Sequence, residues 1–349
     1  MQISSLNKKL LEHIYAEKLQ NNCKVYFHEL ISKKYLFILF FSLLVSTCKA
    51  QINKVYKNTF TITTDNDAYL FTSKDGYYTN GIFFQFSKAF DKKNLKIIKR
   101  IEVGQALYNS RDRLSIIRQL EDADRPYCGY LFTKYTRDKF INSNQFLGYS
   151  IEAGVTGKWS LGEQFQSWYH GNIGVNNFKY WAMQIPNSFG MNVTVKYATS
   201  ITSSDKQYQL FKIVPTTEAT LGNFFINAKA GAYFCMGVFE KNENSVLFNA
   251  RISSKKESEF LKKEFFVYAY PQLTLQGYNV TLKGNLFNQP KDTTVFTATP
   301  KAFVFQQKLG MLYATGKWQG RFEMVFQSQE ATTQRNPGSY IRLQIGYSY

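Results

Sequence analysis

The sequence predicts an all-β protein: a twelve-stranded antiparallel transmembrane β-barrel with a short helix in an extracellular loop. Three observations lead there. Segments along the chain alternate apolar and polar residues with period two. The aromatic share is 17%, with 31 Phe and 24 Tyr, yet the mean hydropathy is only −0.32. Greasy and wet faces must therefore alternate at short range, as in a sheet with two unlike sides. Finally, an export-type leader opens the chain and a strand ending on Tyr349 closes it.

In the last segment, "GSYIRLQIGYSY", Ile341, Leu343, Ile345, Tyr347 and Tyr349 oppose Arg342, Gln344, Gly346 and Ser348. "QFLGYSIEAGV" sets Leu147, Tyr149, Ile151, Ala153 and Val155 against Gly148, Ser150, Glu152 and Gly154. "GMNVTVKYA" sets Met191, Val193, Val195 and Tyr197 against Asn192, Thr194 and Lys196, and "QGRFEMVFQSQ" repeats the pattern around Arg321 and Glu323. "NGIFFQFS" alternates more weakly. A soluble sandwich also alternates, but its inner face is dry. Here one face is charged and the other aliphatic and aromatic, which suits a barrel whose lumen is polar and whose outside meets lipid. Closure follows, because lipid cannot satisfy an open strand edge. Roughly ten to fourteen such segments can be drawn, and the even numbers of bacterial barrels select twelve.

The N-terminus reads as a separate unit. Lys33 and Lys34 precede "YLFILFFSLLVSTCKA", with an apolar stretch over about 35–47 and small residues behind it, which is the form of a signal peptide. Cleavage after Ala50 would leave Gln51 first. Lipid attachment at Cys48 is disfavoured by Thr47, and the apolar run is short for a spanning helix. Residues 1–50 are thus an N-terminal extension and signal peptide, and 51–349 the barrel. Removing 1–50 takes seven Lys and three Glu from a net charge of +18, leaving +14. The remaining charge is scattered, which suits anionic lipid head groups, and export argues against nucleic acid. Two cysteines remain, Cys128 and Cys235, as a disulfide or as two buried thiols.

"SLGEQFQSWYHGNIG" breaks the alternation. Ser160 with Glu163 forms the sequence pattern of a capping box, and Gly171 stands where a helix would stop, which predicts a helix from Leu161 to His170. Gln166 and His170, four apart, share a face. His170 is the one histidine after the leader, and imidazole is the side chain suited to proton abstraction near neutral pH. A helix lying against the wall would let His170 face Asn66, Asp67 and Thr79. These lie in "TDNDAYLFTSKDGYYTNG", a stretch with more carboxylates and hydroxyls than a hairpin turn needs. Strand parity expects both Asp67 and Thr79 to point into the lumen. Asp65 and Asp75 read as solvated loop charges. Arg125 reads as pinned by carboxylates or as a phosphate contact.

Together these pieces resemble the lipid A 3′-O-deacylase family of outer-membrane barrels. The motifs are "NDAYLFTSKDGYYTNG", "DRPYCGYLF", "SLGEQFQSWYHGNIG" followed by "WAMQIPNSFG", and "TLGNFF", in order over most of residues 60–230. The resemblance implies a twelve-stranded barrel with an active site between the wall and a loop helix. It also implies a calcium-dependent hydrolase that removes the 3′-linked acyl chain from lipid A of lipopolysaccharide. The barrel is expected to be a monomer. Carried over, Asn66 and Asp67 match the family's Asn-Asp pair, with both as candidate Ca²⁺ ligands and Asp65 and Asp75 as outside candidates to complete the shell. Thr79 matches its threonine, Gln166 its helix glutamine, and His170 its histidine. The chain departs at Asn176, where one branch is acidic, and at Cys128, where a small residue is usual. A phospholipase would want a serine two residues after His170, and "HGNIG" has none. A porin or scaffold would not explain the helix.

Overall fold

The computed structural model describes residues 55–70, 76–92, 95–110, 123–173, 179–201, 210–255, 260–290 and 295–349. The expected signal peptide, Asp75 and Asn176 lie outside them. Twelve strands run antiparallel in chain order: β1 (Asn58–Asn66), β2 (Tyr77–Lys92), β3 (Leu95–Asn109), β4 (Cys128–Asn142), β5 (Gln145–Thr156), β6 (Ser188–Thr199), β7 (Phe211–Gly222), β8 (Phe225–Val238), β9 (Lys263–Asn279), β10 (Phe303–Thr315), β11 (Trp318–Gln327) and β12 (Gly338–Ser348). Each pairs with its chain neighbours, and β1 pairs with β12, so the sheet closes on itself.

The alternation read from the sequence becomes an outside and an inside. Ile151 and Val193 are register partners on β5 and β6, and both are 52% exposed. Such apolar exposure repeats around the wall with Phe84, Phe86, Ile101, Val103, Val267 and Leu273. It is tolerated because lipid is the outer solvent. The opposite face is charged and paired. Lys134 bridges Glu102 at 3.5 Å and Glu152 at 3.2 Å, Lys229 meets Glu218 at 2.8 Å, and Arg100 meets Asp138. A dry sandwich core would not hold these ions.

Asp65 corrects its sequence reading. It is a fully buried lumen residue, not a solvated loop charge. Arg342 grips it with Nε at 2.8 Å and a terminal nitrogen at 2.7 Å, and the Tyr78 hydroxyl donates to it at 2.8 Å. Asp65 and Arg342 are also register partners, so this ion pair straddles the β1–β12 seam.

Both ends of the lumen are filled. Short turns at Ser143–Asn144 and Gly316–Lys317 mark the periplasmic end. There the connection after β8 folds inward, with a 3-10 turn at Val246–Phe248 inside the barrel. Three strands of the wall hold it. Arg100 donates to the Phe248 carbonyl at 2.8 Å, Arg321 to that of Leu247 at 2.8 Å, and Gln344 to Asn249 at 2.9 Å. Glu264 accepts from the Val246 amide at 2.9 Å and from the Ser245 hydroxyl at 2.5 Å. Val246, Leu247 and Phe248 pack into one cluster with Phe140, Phe146, Tyr233, Phe266 and Tyr268.

At the other end Arg125 is fully buried and settles its two readings: it is pinned. It donates to Glu330 at 2.7 Å and Thr281 at 2.9 Å, with its guanidinium 4.2 Å from the Tyr108 ring centre. Three outer connections are joined by this one side chain. Cys128 and Cys235 are both free and buried, the second within the lumen cluster.

A barrel filled this way should carry no ion current. In planar bilayers the intact protein is expected to be silent, and the triple change Val246→Ser, Leu247→Ser, Phe248→Ser to raise conductance. Steady current through the unaltered protein would contradict this account of the lumen.

Candidate active site

The helix predicted around His170 is present as α1 (Gly162–Ile173). It begins one residue later than expected and runs past Gly171. Gly171 keeps a negative φ and has open space where a β-carbon would stand, so nothing there forces a stop. The start also differs in detail. The Ser160 hydroxyl accepts from the Gly162 amide at 3.3 Å, not from that of Glu163, and donates to the Gly157 carbonyl at 2.6 Å. Leu161, at φ +57°, turns the chain sharply into the helix.

The buried positions of α1 include Gly162, Gln166 and His170, spaced by four. They form one stripe along the helix. Gln166 is 5% and His170 6% exposed, whereas Trp168, on another side, is 65% exposed. The stripe lies on the outer surface of the wall. A β-carbon on Gly162 would stand 2.8 Å from Leu107 Cδ2 and 3.0 Å from the Gly129 Cα. One on Gly129 would stand 2.1 Å from Ser160 Oγ. Leu107 shares its strand face with Ile101 and Val103, and Gly129 with Tyr135, all of which look outward. Glycine at 129 and 162 is therefore what lets helix and wall touch. Gln105, on the same outward face, donates to the Ser160 carbonyl at 2.6 Å.

This geometry overturns the lumen-facing expectation for Thr79. The β2–β3 register shifts between Tyr78 and Asn80, a bulge centred on Thr79. Tyr78 is inside, bonded to Asp65 and packed against Tyr108 and Tyr340. Its neighbour Thr79 therefore turns outward, and simple alternation counted back from Phe83 fails at the bulge. The Thr79 hydroxyl donates to the Leu107 carbonyl at 3.4 Å. Asn66 shares the outward parity of Phe60 and Ile62. Asp67 lies just past the end of β1, where strand parity no longer applies.

Hydrogen bonds across the ends of β1 and β2 hold this corner. The Asp67 amide donates to the Thr79 carbonyl at 3.4 Å, and its carboxylate accepts from the Gly76 amide at 2.9 Å. Asn66 Oδ1 accepts from the Ala68 amide at 2.7 Å. Tyr77 stands at φ +71°, which costs a non-glycine residue about 1–2 kcal/mol. Its hydroxyl offsets that by donating to Asp124 at 2.7 Å and accepting from the Asn336 amide at 3.0 Å.

The five expected residues are thus linked through one patch of wall. Asn66, Asp67 and Thr79 share the hairpin, and Thr79 bonds to Leu107. Leu107 packs with Tyr127, Trp181 and Phe165. The Trp181 indole donates to Gln166 at 2.7 Å, and His170 follows one turn later. Sequence reasoning missed Leu107 and Trp181, which carry no reactive group. It also missed Asn109 and Gln184. Both are buried, and neither end of either amide has a partner among the described residues. Such groups ask for a water or a polar ligand.

For a cation, Asp67 and Asn66 contribute a carboxylate and an amide oxygen, the hard donors that Ca²⁺ prefers. The described residues hold no group of three His, Cys, Asp or Glu able to bind a metal. Asn66 and Asp67 would supply only two of the oxygens a calcium shell needs.

A sequence model of the family described as outer membrane protein LpxR matches residues 36–349. The chain belongs to the LpxR family. This is the lipid A 3′-O-deacylase family that its motifs resemble, and it places the barrel in the outer membrane. LpxR from Salmonella typhimurium has a similar fold, with a TM-score of 0.69 at 18% identity over 83% of this chain and 100% of that chain. The β domain of the Bordetella autotransporter BrkA gives 0.46 at 7% identity, over 84% and 100% of the two chains. The COG4313 outer membrane channel from Pseudomonas putida F1 gives 0.45 at 7%, over 86% and 99%. No curated protein matches the sequence.

Helix docking in this LpxR-family chain depends on the missing side chain at Gly162. Gly162→Val should lift α1 from the wall and leave the strands untouched. Limited proteolysis would then cut within 162–173 faster, with the heat-modifiable band shift of the folded barrel retained. Unchanged cleavage would show that the close contact is dispensable.

Proposed function

We propose that the protein is a calcium-dependent hydrolase of the outer membrane that removes the 3′-linked acyl chain from lipid A, by attack of a His170-activated water on the ester. One observation carries this reading: the buried stripe of α1 faces the outward surface of the wall. A lipid in the outer leaflet would reach such a site sideways, without entering the lumen. A porin or transporter would need the lumen, and here the lumen is filled from both ends.

Ester hydrolysis by water needs a base for the proton and donors for the oxyanion. His170, buried yet at the end of the polar stripe, is suited to be the base. Thr79 gives its proton to the Leu107 carbonyl, so its oxygen is left to accept from and orient a water. Gln166 lies one turn before His170 and can meet the substrate from the same face. Asp67 and Asn66 would hold Ca²⁺. The bound cation would supply positive charge for the carbonyl oxygen. The phospholipase alternative lacks its serine at position 172, which is Asn.

Mass spectrometry of lipid A from a host expressing the protein should show the loss of one acyl chain from the 3′ position. His170→Ala is expected to lower that activity at least about a hundredfold, the usual worth of a general base, with the barrel still folded. Chelation should abolish turnover, and added Ca²⁺ should restore it better than Mg²⁺. Deacylation that survives either treatment rules out this mechanism.

A further inference from the structure

The partner of Gln166 fixes what that residue can offer. An indole N–H donates and cannot accept, so the Gln166 atom it meets at 2.7 Å must be the carbonyl oxygen. The Nε2 amide protons are then directed elsewhere, and among the described residues no acceptor takes them. Trp181 has little freedom to turn. It is almost fully buried, its ring meets Tyr127 edge-on at 5.6 Å, and Leu107 and Phe165 complete the packing. Its backbone is held as well. It lies in the 3-10 turn Lys179–Met183, its carbonyl accepts from the Gln184 amide at 3.1 Å, and the Ile185 amide donates to the Tyr127 carbonyl at 2.8 Å. An amide that would otherwise present either end is locked one way round.

We infer that Trp181 is a positioning residue that presents Gln166 to the substrate as a hydrogen-bond donor. Under the proposed ester hydrolysis, on which this role rests, the Nε2 group would meet the carbonyl oxygen as it gains negative charge. A pre-aimed donor in a site shielded from water is worth far more than one in bulk solvent. The same orientation turns the Gln166 oxygen toward the indole, so holding a cation or accepting from the imidazole falls to other groups.

The test joins kinetics with a readout that needs no turnover. Gln166→Ala should lower kcat about a hundredfold. Gln166→Glu keeps the shape and an acceptor for the indole but presents a carboxylate to the substrate, so it should lose at least as much. Trp181→Phe should lower kcat roughly tenfold, the worth of one hydrogen bond, with KM unchanged. Added to Gln166→Ala it should cost nothing more. In nitrogen-15 spectra of the detergent-solubilised protein, the Trp181 indole signal should exchange slowly in the unaltered chain and fast in Gln166→Ala. An active Gln166→Glu, or a Trp181→Phe loss that persists in full in the Gln166→Ala background, would overturn the donor role. A fast-exchanging indole in the unaltered chain would overturn the locked amide. An inactive unaltered protein with a protected indole would instead refute the hydrolase and leave the locked amide standing.

Discussion

The structure depends on one constraint: in lipid, no strand may keep an unpaired edge. The register between β1 and β12 meets it, running from Thr59 opposite Ser348 to Asn66 opposite Ile341. At that seam Asp65 and Arg342 put opposite charges on facing positions of the first and last strands. Two ions in a filled lumen are costly apart and favourable together. The pair therefore rewards the register that closes the barrel and penalises a slip by one residue, which would carry one of the two ions to the lipid side and leave the other unpaired in the lumen.

Closure also explains where the polar residues gather. A wall that is apolar outside leaves its ions to the interior, and the interior then has to be completed. Carboxylate–ammonium pairs line the middle, the inward-folded segment around Val246–Phe248 fills one end, and Arg125 with Glu330 ties the connections at the other. The site is the exception. At one corner of the outer rim, polar side chains such as Asn66, Thr79 and Gln105 face outward, and α1 packs on the wall beside them.

The fold was largely legible because a two-residue period is a local signal. Ile151, Val193 and Arg342 take the sides their parity assigns. The helix was legible from the break in alternation at Ser160, although its end was not, since Gly171 acts as an ordinary helical residue. Residue types marked the candidate site: the single histidine after the leader and the polar crowding after Thr64. Orientation was misread because a bulge is invisible to a parity count. One extra residue at Thr79 reverses the face of everything before it on that strand. Asp65 was misread because its partner lies at the far end of the chain. Trp181, Leu107 and the glycine contact at 129 and 162 act by shape alone, which no residue type announces.

The bulge at Thr79 has a bearing on traffic. A fatty acid released at the outward surface of the wall would already lie beside its parent leaflet, with no tunnel to cross. Under the proposed hydrolysis, departure would be lateral diffusion in two dimensions, and the protein could be abundant without making the envelope leaky.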